Sequence, residues 1–346
     1  MPYPFTPLMA ELPTLAGQTV LITGGTGSFG RAFARRLLDA CEPSRVIIFS
    51  RDEQKHYAME RAMPDPRLRF LIGDIRDSSR LSRAFDGVDI VIHAAAMKHV
   101  HIAEKNPREA ILTNIEGAAN VIDAAHERAV SRVIALSTDK AVSPVSLYGA
   151  TKLCMEKLFV AANAYARQGG PQFDLVRFGN VVGSVGSVIP LFAEQRAGGR
   201  LSVTRGEMTR FLIETKRAVD AVLLALTDGL GGETFVPKLP ACTLDVLARA
   251  MAPELPIDYI GSRPGEKMHE TLIMADESHL AVEYENYYVI RPNLVASNAS
   301  TRATGQSPTR RFSYTSDATH ALTVEETRAL LAAAGFMDGW APKRTT

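Results

Sequence analysis

The sequence predicts an α/β protein, a doubly wound parallel sheet with a smaller C-terminal lobe. Three observations lead there. Short β-branched runs alternate with helix-like stretches through the first half of the chain. The runs are almost continuously apolar, as strands covered on both faces of a parallel sheet must be. After Asn180 this rhythm breaks into irregular segments rich in Gly and Pro. With 346 residues, 46% of them hydrophobic, there is ample material for a large core. A net charge of +1 gives no electrostatic argument for a nucleic acid or an acidic membrane as partner.

The elements follow in order. The start, "MPYPFTPLMAELPTLAG", has prolines where a signal peptide needs a helical apolar core, so residues 1–16 read as an N-terminal arm. Strands are expected at TVLIT (Thr19–Thr23), RVIIFS (Arg45–Ser50), LRFLIGD (Leu68–Asp74), DIVIHAAA (Asp89–Ala96), RVIALST (Arg132–Thr138) and FDLVRFGN (Phe173–Asn180). Between them FGRAFARRLLDA, SSRLSRAFDG, ILTNIEGAANVIDAAHERA and KLCMEKLFVAANAYARQ carry helical apolar spacing. Residues 17–180 make the first lobe, and a helix and strand within 212–240 return to it. Residues 181–211 and 241–346 make the smaller, substrate-covering lobe, in which Ala296–Arg311 reads as a mobile loop. Cys41, Cys154 and Cys242 lack metal-ligand spacing and are expected as buried, reduced thiols of a cytoplasmic protein with no metal. No run is long and apolar enough for a membrane span.

"TGGTGSFG" follows the first strand and opens the first helix. Gly24, Gly27 and Gly30, with Thr26, Ser28 and Phe29 between them, let the backbone approach a pyrophosphate at a helix N-terminus. A glycine series alone is often a plain turn. Its place in the first strand–helix–strand unit makes it the signature of a Rossmann-like dinucleotide-binding domain. At the tip of the second strand stand Ser50 and Arg51, a hydroxyl and a guanidinium suited to a 2′-phosphate, so NADP is expected. Asp52, followed by Glu53, Gln54 and Lys55, keeps NAD open. Asp74 and Ile75 fall where an adenine edge would lie, or form an ordinary turn. Ala94 and Lys98 after the fourth strand and Val181 after the sixth complete the expected cofactor lining.

Tyr148 and Lys152 sit four residues apart, one face of a helix if the segment is helical. A phenol with a pKa of about 10 is a poor base near neutrality. A lysine one turn away and a nicotinamide's positive charge would lower that pKa, letting Tyr148 take a proton from a sugar hydroxyl. The same spacing elsewhere usually marks a solvated helix face.

These motifs resemble the extended short-chain dehydrogenase/reductases that act on nucleotide sugars. "ALSTDKAVSPVSLYGATKLCMEKLF", "RFGNVVGSVGSVIPLF", "MTRF" and "RPGEKMHE" are similar, in order, to the inverting UDP-N-acetylglucosamine 4,6-dehydratases over about Leu15 to Pro292. The resemblance implies tightly held NADP, UDP-N-acetylglucosamine as substrate, a homo-oligomer (hexamer or dimer), and a first step of pseudaminic acid synthesis. It places Lys98, Thr138, Asn180, Arg263 and Glu266 on the substrate. It further implies that Tyr148 serves oxidation at C4, a neutral Lys140 removes the C5 proton, and a protonated Asp139 assists loss of the C6 hydroxyl. Lys140 would then need its pKa depressed and Asp139 its pKa raised. Asn114 would order a relay water near Lys152, or cap a kink. Related retaining enzymes carry Asp-Glu where this chain has Asp139-Lys140. Longer relatives have membrane spans and often Met in place of Tyr148, which sets this chain with the short form. Three other readings share the fold: a C4 epimerase, which needs no acid–base pair at C5 and C6, a retaining 4,6-dehydratase, and a non-catalytic NADP sensor, which needs no Tyr148.

Overall fold

The computed structural model describes residues 7–166, 169–293 and 305–336. Six strands, β1 (Thr19–Thr23), β2 (Arg45–Ser50), β3 (Leu68–Ile72), β4 (Ile90–His93), β5 (Arg132–Thr138) and β6 (Gln172–Phe178), pair in parallel in the order β3-β2-β1-β4-β5-β6. Seven helices lie along this half of the chain: α1 (Ser28–Ala40), α2 (Glu53–Ala62), α3 (Ser78–Ala84), α4 (Val100–Lys105), α5 (Pro107–Ile111), α6 (Gly117–Glu127) and α7 (Leu147–Tyr165). The order reverses beside β1, where the carboxyl ends of β1 and β4 open a crevice, the usual ligand position in such a sheet.

Period-two alternation divides the strand side chains between two cores. Val20, Ile22, Val46, Ile48 and Ile92 pack with Phe33 and Leu37 of α1 and with the helix Thr215–Asp228. Leu21, Ile47, Phe49, Val91 and Val133 pack on the other face with Val121 and Phe159. The helix Thr215–Asp228 packs on this sheet, and the strand Thr234–Pro237 pairs in parallel with β6.

Four local expectations are corrected. The strands Tyr287–Ile290 and Ala281–Glu283 extend the large sheet antiparallel beyond Thr234–Pro237, although the sequence assigns them to the smaller lobe. Their apolar side chains, Val282, Val289 and Ile290, are buried there, which alternation alone does not assign to either lobe. The stretch ILTNIEGAANVIDAAHERA is not one helix: a π-helical turn at Leu112–Glu116 separates α5 from α6. β3 is an edge strand, and Ile72 is exposed rather than covered. Cys154 is exposed on α7, while Cys41 and Cys242 are buried.

The arm packs on the large lobe through buried Leu8 and Leu15, the latter donating its N–H to the Cys41 carbonyl at 2.7 Å. Ala296–Thr304, part of the stretch read as a mobile loop, lies outside the described residues. A third core, with Val182, Ile189, Phe192, Leu201, Met208, Leu247 and Leu331, holds the smaller lobe together. There the strands Ala241–Thr243, Thr209–Ile213 and Asn180–Val181 form a separate sheet. No helix among the described residues is long and apolar enough to cross a membrane.

Candidate active site

The glycine turn is built as its sequence requires. Gly24 has φ +66°, in the left-handed region, and a Cβ there would lie 2.8 Å from the Ala95 Cα. A Cβ on Gly30 would lie 2.5 Å from the Gly25 Cα, so α1 can pack this close only with glycine. Gly27 is the N-cap of α1, and no side chain caps the helix. Its first-turn N–H groups are therefore available to an anion, and the residues fit a dinucleotide pyrophosphate. Phe29 turns into the core beside Phe33 and Phe178, so what it can offer the turn is backbone. Ser28 Oγ accepts from the Val185 N–H at 3.5 Å, reaching the smaller lobe.

At the tip of β2 the Ser50 hydroxyl joins Thr26 Oγ1 at 2.8 Å and His56 Nε2 at 2.9 Å. Asp52 caps α2, accepting from the Lys55 N–H at 3.0 Å and pairing with Lys55 Nζ at 3.1 Å. Glu53, Gln54 and Lys55 form the first turn of that helix, which the sequence reading had not separated from the strand tip. Arg51 is exposed, its nearest carboxylate being Asp74 at 3.5 Å. Asp74 is held more closely by Arg76 at 2.6 Å. Ile75 is buried against Gly117, and its carbonyl accepts from Asn120 at 3.0 Å. Ala94 follows β4, its N–H donating to the Thr23 carbonyl at 3.2 Å. Lys98 is exposed just before α4, and Val181 is half-buried beside Asn180.

Asp139-Lys140 form a short 3-10 turn directly after β5. The first turn of α7, capped by Ser146, rests on that turn so closely that a Cβ on Gly149 would collide with the Lys140 carbonyl. Asp139 is wholly buried and Tyr148 nearly so. Lys140 Nζ meets Asp139 Oδ1 at 3.0 Å, Asn180 Oδ1 at 3.2 Å and Glu270 Oε1 at 3.3 Å. Thr138 Oγ1 donates to Asp139 Oδ1 at 2.9 Å.

Electrostatics correct two expectations. Burial works against the Lys140 ammonium, but the carboxylates of Asp139 and Glu270 outweigh it and raise its pKa above the ordinary lysine value. The sequence reading required a depressed one and did not foresee Glu270. Asp139 does move upward, as that reading required, because burial outweighs the pull of Lys140. Burial also pushes Tyr148 up to about 12, with Lys140 and its hydrogen-bond partner Thr138 opposing. Lys152 does not relieve it. Its Nζ donates to the Leu136 carbonyl at 2.6 Å and meets Met155 Sδ at 2.9 Å, and burial brings its pKa down to about 8. Without a nicotinamide beside it, the phenol is a weak acid.

The turn Arg263–Glu266 lies against the start of α7, with Gly265 beside Ser146 and Val100. Arg263 is exposed, the Glu266 N–H donates to the Arg263 carbonyl at 3.2 Å, and Glu266 Oε2 is buried without a hydrogen bond. Asn114, in the π-turn, accepts from the Met97 N–H and donates to the Met97 carbonyl and Thr151 Oγ1. These bonds match the reading of Asn114 as a structural residue at a kink. The sequence reading quoted "MTRF" and "RPGEKMHE" without assigning Arg210, Lys267 or Glu270, which the fold brings to Lys140. Opposite charges within two short motifs were the available signal.

Sheet order, glycine turn and the helix bearing Tyr148 and Lys152 define a Rossmann-fold protein of the extended short-chain dehydrogenase/reductase type. More narrowly, the chain belongs to the polysaccharide biosynthesis protein family, whose model matches residues 20–292. It is 50% identical over 310 residues to a UDP-N-acetylglucosamine 4,6-dehydratase (inverting) of Campylobacter jejuni subsp. jejuni serotype O:23/36, covering 87% of this chain and 93% of that protein. A UDP-glucose 4-epimerase of Rickettsia akari is 44% identical over 281 residues, covering 79% and 82%. The solved structure of Pen from Bacillus thuringiensis superposes with a TM-score of 0.88 at 38% identity, over 93% of this chain and 99% of that one. DesIV, a dTDP-glucose 4,6-dehydratase from Streptomyces venezuelae solved with NAD and TYD, gives a TM-score of 0.66 at 26% identity, over 72% and 87%.

Proposed function

We propose that this protein is a lyase, a UDP-N-acetylglucosamine 4,6-dehydratase that inverts C5 and uses NADP, working in the cytoplasm as a homo-oligomer. The product would be UDP-2-acetamido-2,6-dideoxy-β-L-arabino-hex-4-ulose, the opening step toward pseudaminic acid. The observation that carries this reading is the 3.0 Å contact between Lys140 and the fully buried Asp139, close enough to Tyr148 to act on its phenol. The 50% identity to the inverting Campylobacter dehydratase, over 87% of this chain, supports the substrate.

The glycine turn at Gly24, Gly27 and Gly30, with Arg51 at the tip of β2, would hold a nicotinamide cofactor, which would supply the hydride chemistry between C4 and C6. Tyr148 takes the proton of the C4 hydroxyl, and the resulting ketone acidifies the C5 hydrogen. One proton shift across the Lys140–Asp139 contact turns the ion pair into an amine and a carboxylic acid. Burial works toward that neutral pair, because both charged forms are desolvated, while the Asp139 and Glu270 carboxylates work against it by holding Lys140 as the ammonium. Lys140 then takes the C5 proton, and Asp139 gives its proton to the departing C6 hydroxyl, which leaves as water. A proton returns to C5 on the opposite face, and no net redox change remains. Arg263 and Glu266 would grip the uridine and its ribose, with Lys98, Thr138 and the free amide of Asn180 toward the rest of the nucleotide sugar.

Incubation with UDP-N-acetylglucosamine tests the reading: the product must be lighter by one water. The epimerase reading, favoured by the Rickettsia relative, requires a product of unchanged mass. A sensor would leave the sugar untouched.

A further inference from the structure

Lys140 is held from three sides. Its ammonium has three donors, and the structure gives it three acceptors, Asp139 Oδ1, Asn180 Oδ1 and Glu270 Oε1, at 3.0, 3.2 and 3.3 Å. Glu270 comes from the far end of "RPGEKMHE" and is itself only 2% exposed. Arg210 Nε stands 4.0 Å from Glu270 Oε1, and Lys267 Nζ stands 3.8 Å from Glu270 Oε2. The Glu270 N–H is taken by Ser316 Oγ at 2.8 Å, which fixes the backbone beneath the carboxylate.

We infer that Glu270 is a positioning residue for the dehydration chemistry: it holds Lys140 Nζ in line and carries the counter-charge for the ammonium that Lys140 becomes. This rests on the dehydratase reading above. In that step the C5–H bond breaks and an N–H bond forms on Lys140. The electron pair expels the C6 hydroxyl, which leaves as water with the proton of Asp139. Between cleavage of the C5–H bond and departure of the C6 hydroxyl, Asp139 is still the neutral acid and balances no charge on Lys140; its carboxylate returns only as the water leaves. Glu270 is then the only carboxylate in contact with Nζ among the described residues. Without it, the new ammonium would be buried among Arg210 and Lys267, both cations.

The charged and titratable groups around Lys140 are Asp139 on its own turn, Tyr148 from α7, Arg210 from the strand Thr209–Ile213, and Lys267 and Glu270 from the segment beyond the Pro-Gly turn. His269 turns instead to Thr209 Oγ1, at 2.9 Å. Glu270→Gln keeps the shape and removes only the charge. Lys140 becomes a weaker base, so the acid limb of kcat should move to lower pH by about one unit and its plateau should fall about tenfold. KM for UDP-N-acetylglucosamine should stay within about threefold of the wild-type value, because the inference has Glu270 act through Lys140 and not on the sugar. Glu270→Asp, which keeps the charge, should return the acid limb to its wild-type position. A Glu270→Gln enzyme with wild-type kcat and limb would overturn the inference. So would a kcat loss with the limb unmoved, which marks a merely structural residue. Wild-type protein that releases no water would instead overturn the dehydratase reading.

Discussion

Lys140 Nζ lies 3.0 Å from Asp139 Oδ1, and Asp139 Oδ2 is buried with no hydrogen-bond partner. Two neighbours in sequence thus share one contact along which a proton can move, and one unpartnered oxygen is left over for substrate. Asp139→Asn should leave the first oxidation intact and fail at loss of the C6 hydroxyl. Lys140→Ala should stall after C4 oxidation. Each should cost roughly 10²–10⁴-fold in turnover. In D₂O the wild-type product should carry deuterium at C5 with L-arabino configuration in its earliest NMR spectra. Retained configuration at that stage would remove the inverting assignment.

Tyr148 is buried, and burial pushes its pKa up to about 12. Tyr148→Phe removes only the phenolic oxygen, so the fold should survive with an unchanged circular dichroism spectrum. Oxidation at C4 should fall roughly 10²–10⁴-fold. In the cofactor-free protein no phenolate absorbance should develop from Tyr148 at neutral pH. Oxidised cofactor should draw its titration downward, because a positive ring favours the phenolate. Near-native turnover in Tyr148→Phe would reassign the base.

Arg51 is 62% exposed, and among the described residues a 3.5 Å contact to Asp74 is the one ion pair that holds it. It is free to swing to a 2′-phosphate, while Asp52 is already occupied as the cap of α2. Arg51→Ala should weaken NADP by about 1.5–3 kcal/mol at most, and leave NAD nearly unchanged. Titration of both nucleotides by calorimetry decides it. Equal losses for the two would detach Arg51 from cofactor choice.

Asp174 sits buried on β6, accepting from the Gly231 and Glu233 N–H groups at 3.1 and 3.0 Å. Burial raises its pKa from 3.8 to about 7. The native state therefore binds a proton that the unfolded chain has lost, so stability should fall as pH rises from about 4 to 7, by on the order of 4 kcal/mol. Asp174→Asn should flatten that part of the curve. Urea melts of both proteins across this range provide the check, and an equally steep decline in the variant would place the effect elsewhere.

The sequence made the first lobe legible because buried parallel strands and their helices follow simple periods, and the glycine turn has a steric reason that survives in the text. Asp139, Lys140, Tyr148 and Lys152 were legible as one run of residues. Their protonation was not. It depends on Glu270, 130 positions beyond Lys140 in the numbering, and no local pattern couples the two. The antiparallel strands at 281–290 were missed for a similar reason: three or four apolar residues fit either lobe until a partner edge is known.

Asn114 ties the loop after β4 to α7, with one amide bonded to both backbone groups of Met97 and to Thr151. The π-turn that carries it spends a residue of regular helix to aim that amide inward. The floor of the cleft is thereby cross-braced, with the stretch leading to Lys98 and the helix bearing Tyr148 locked into one frame.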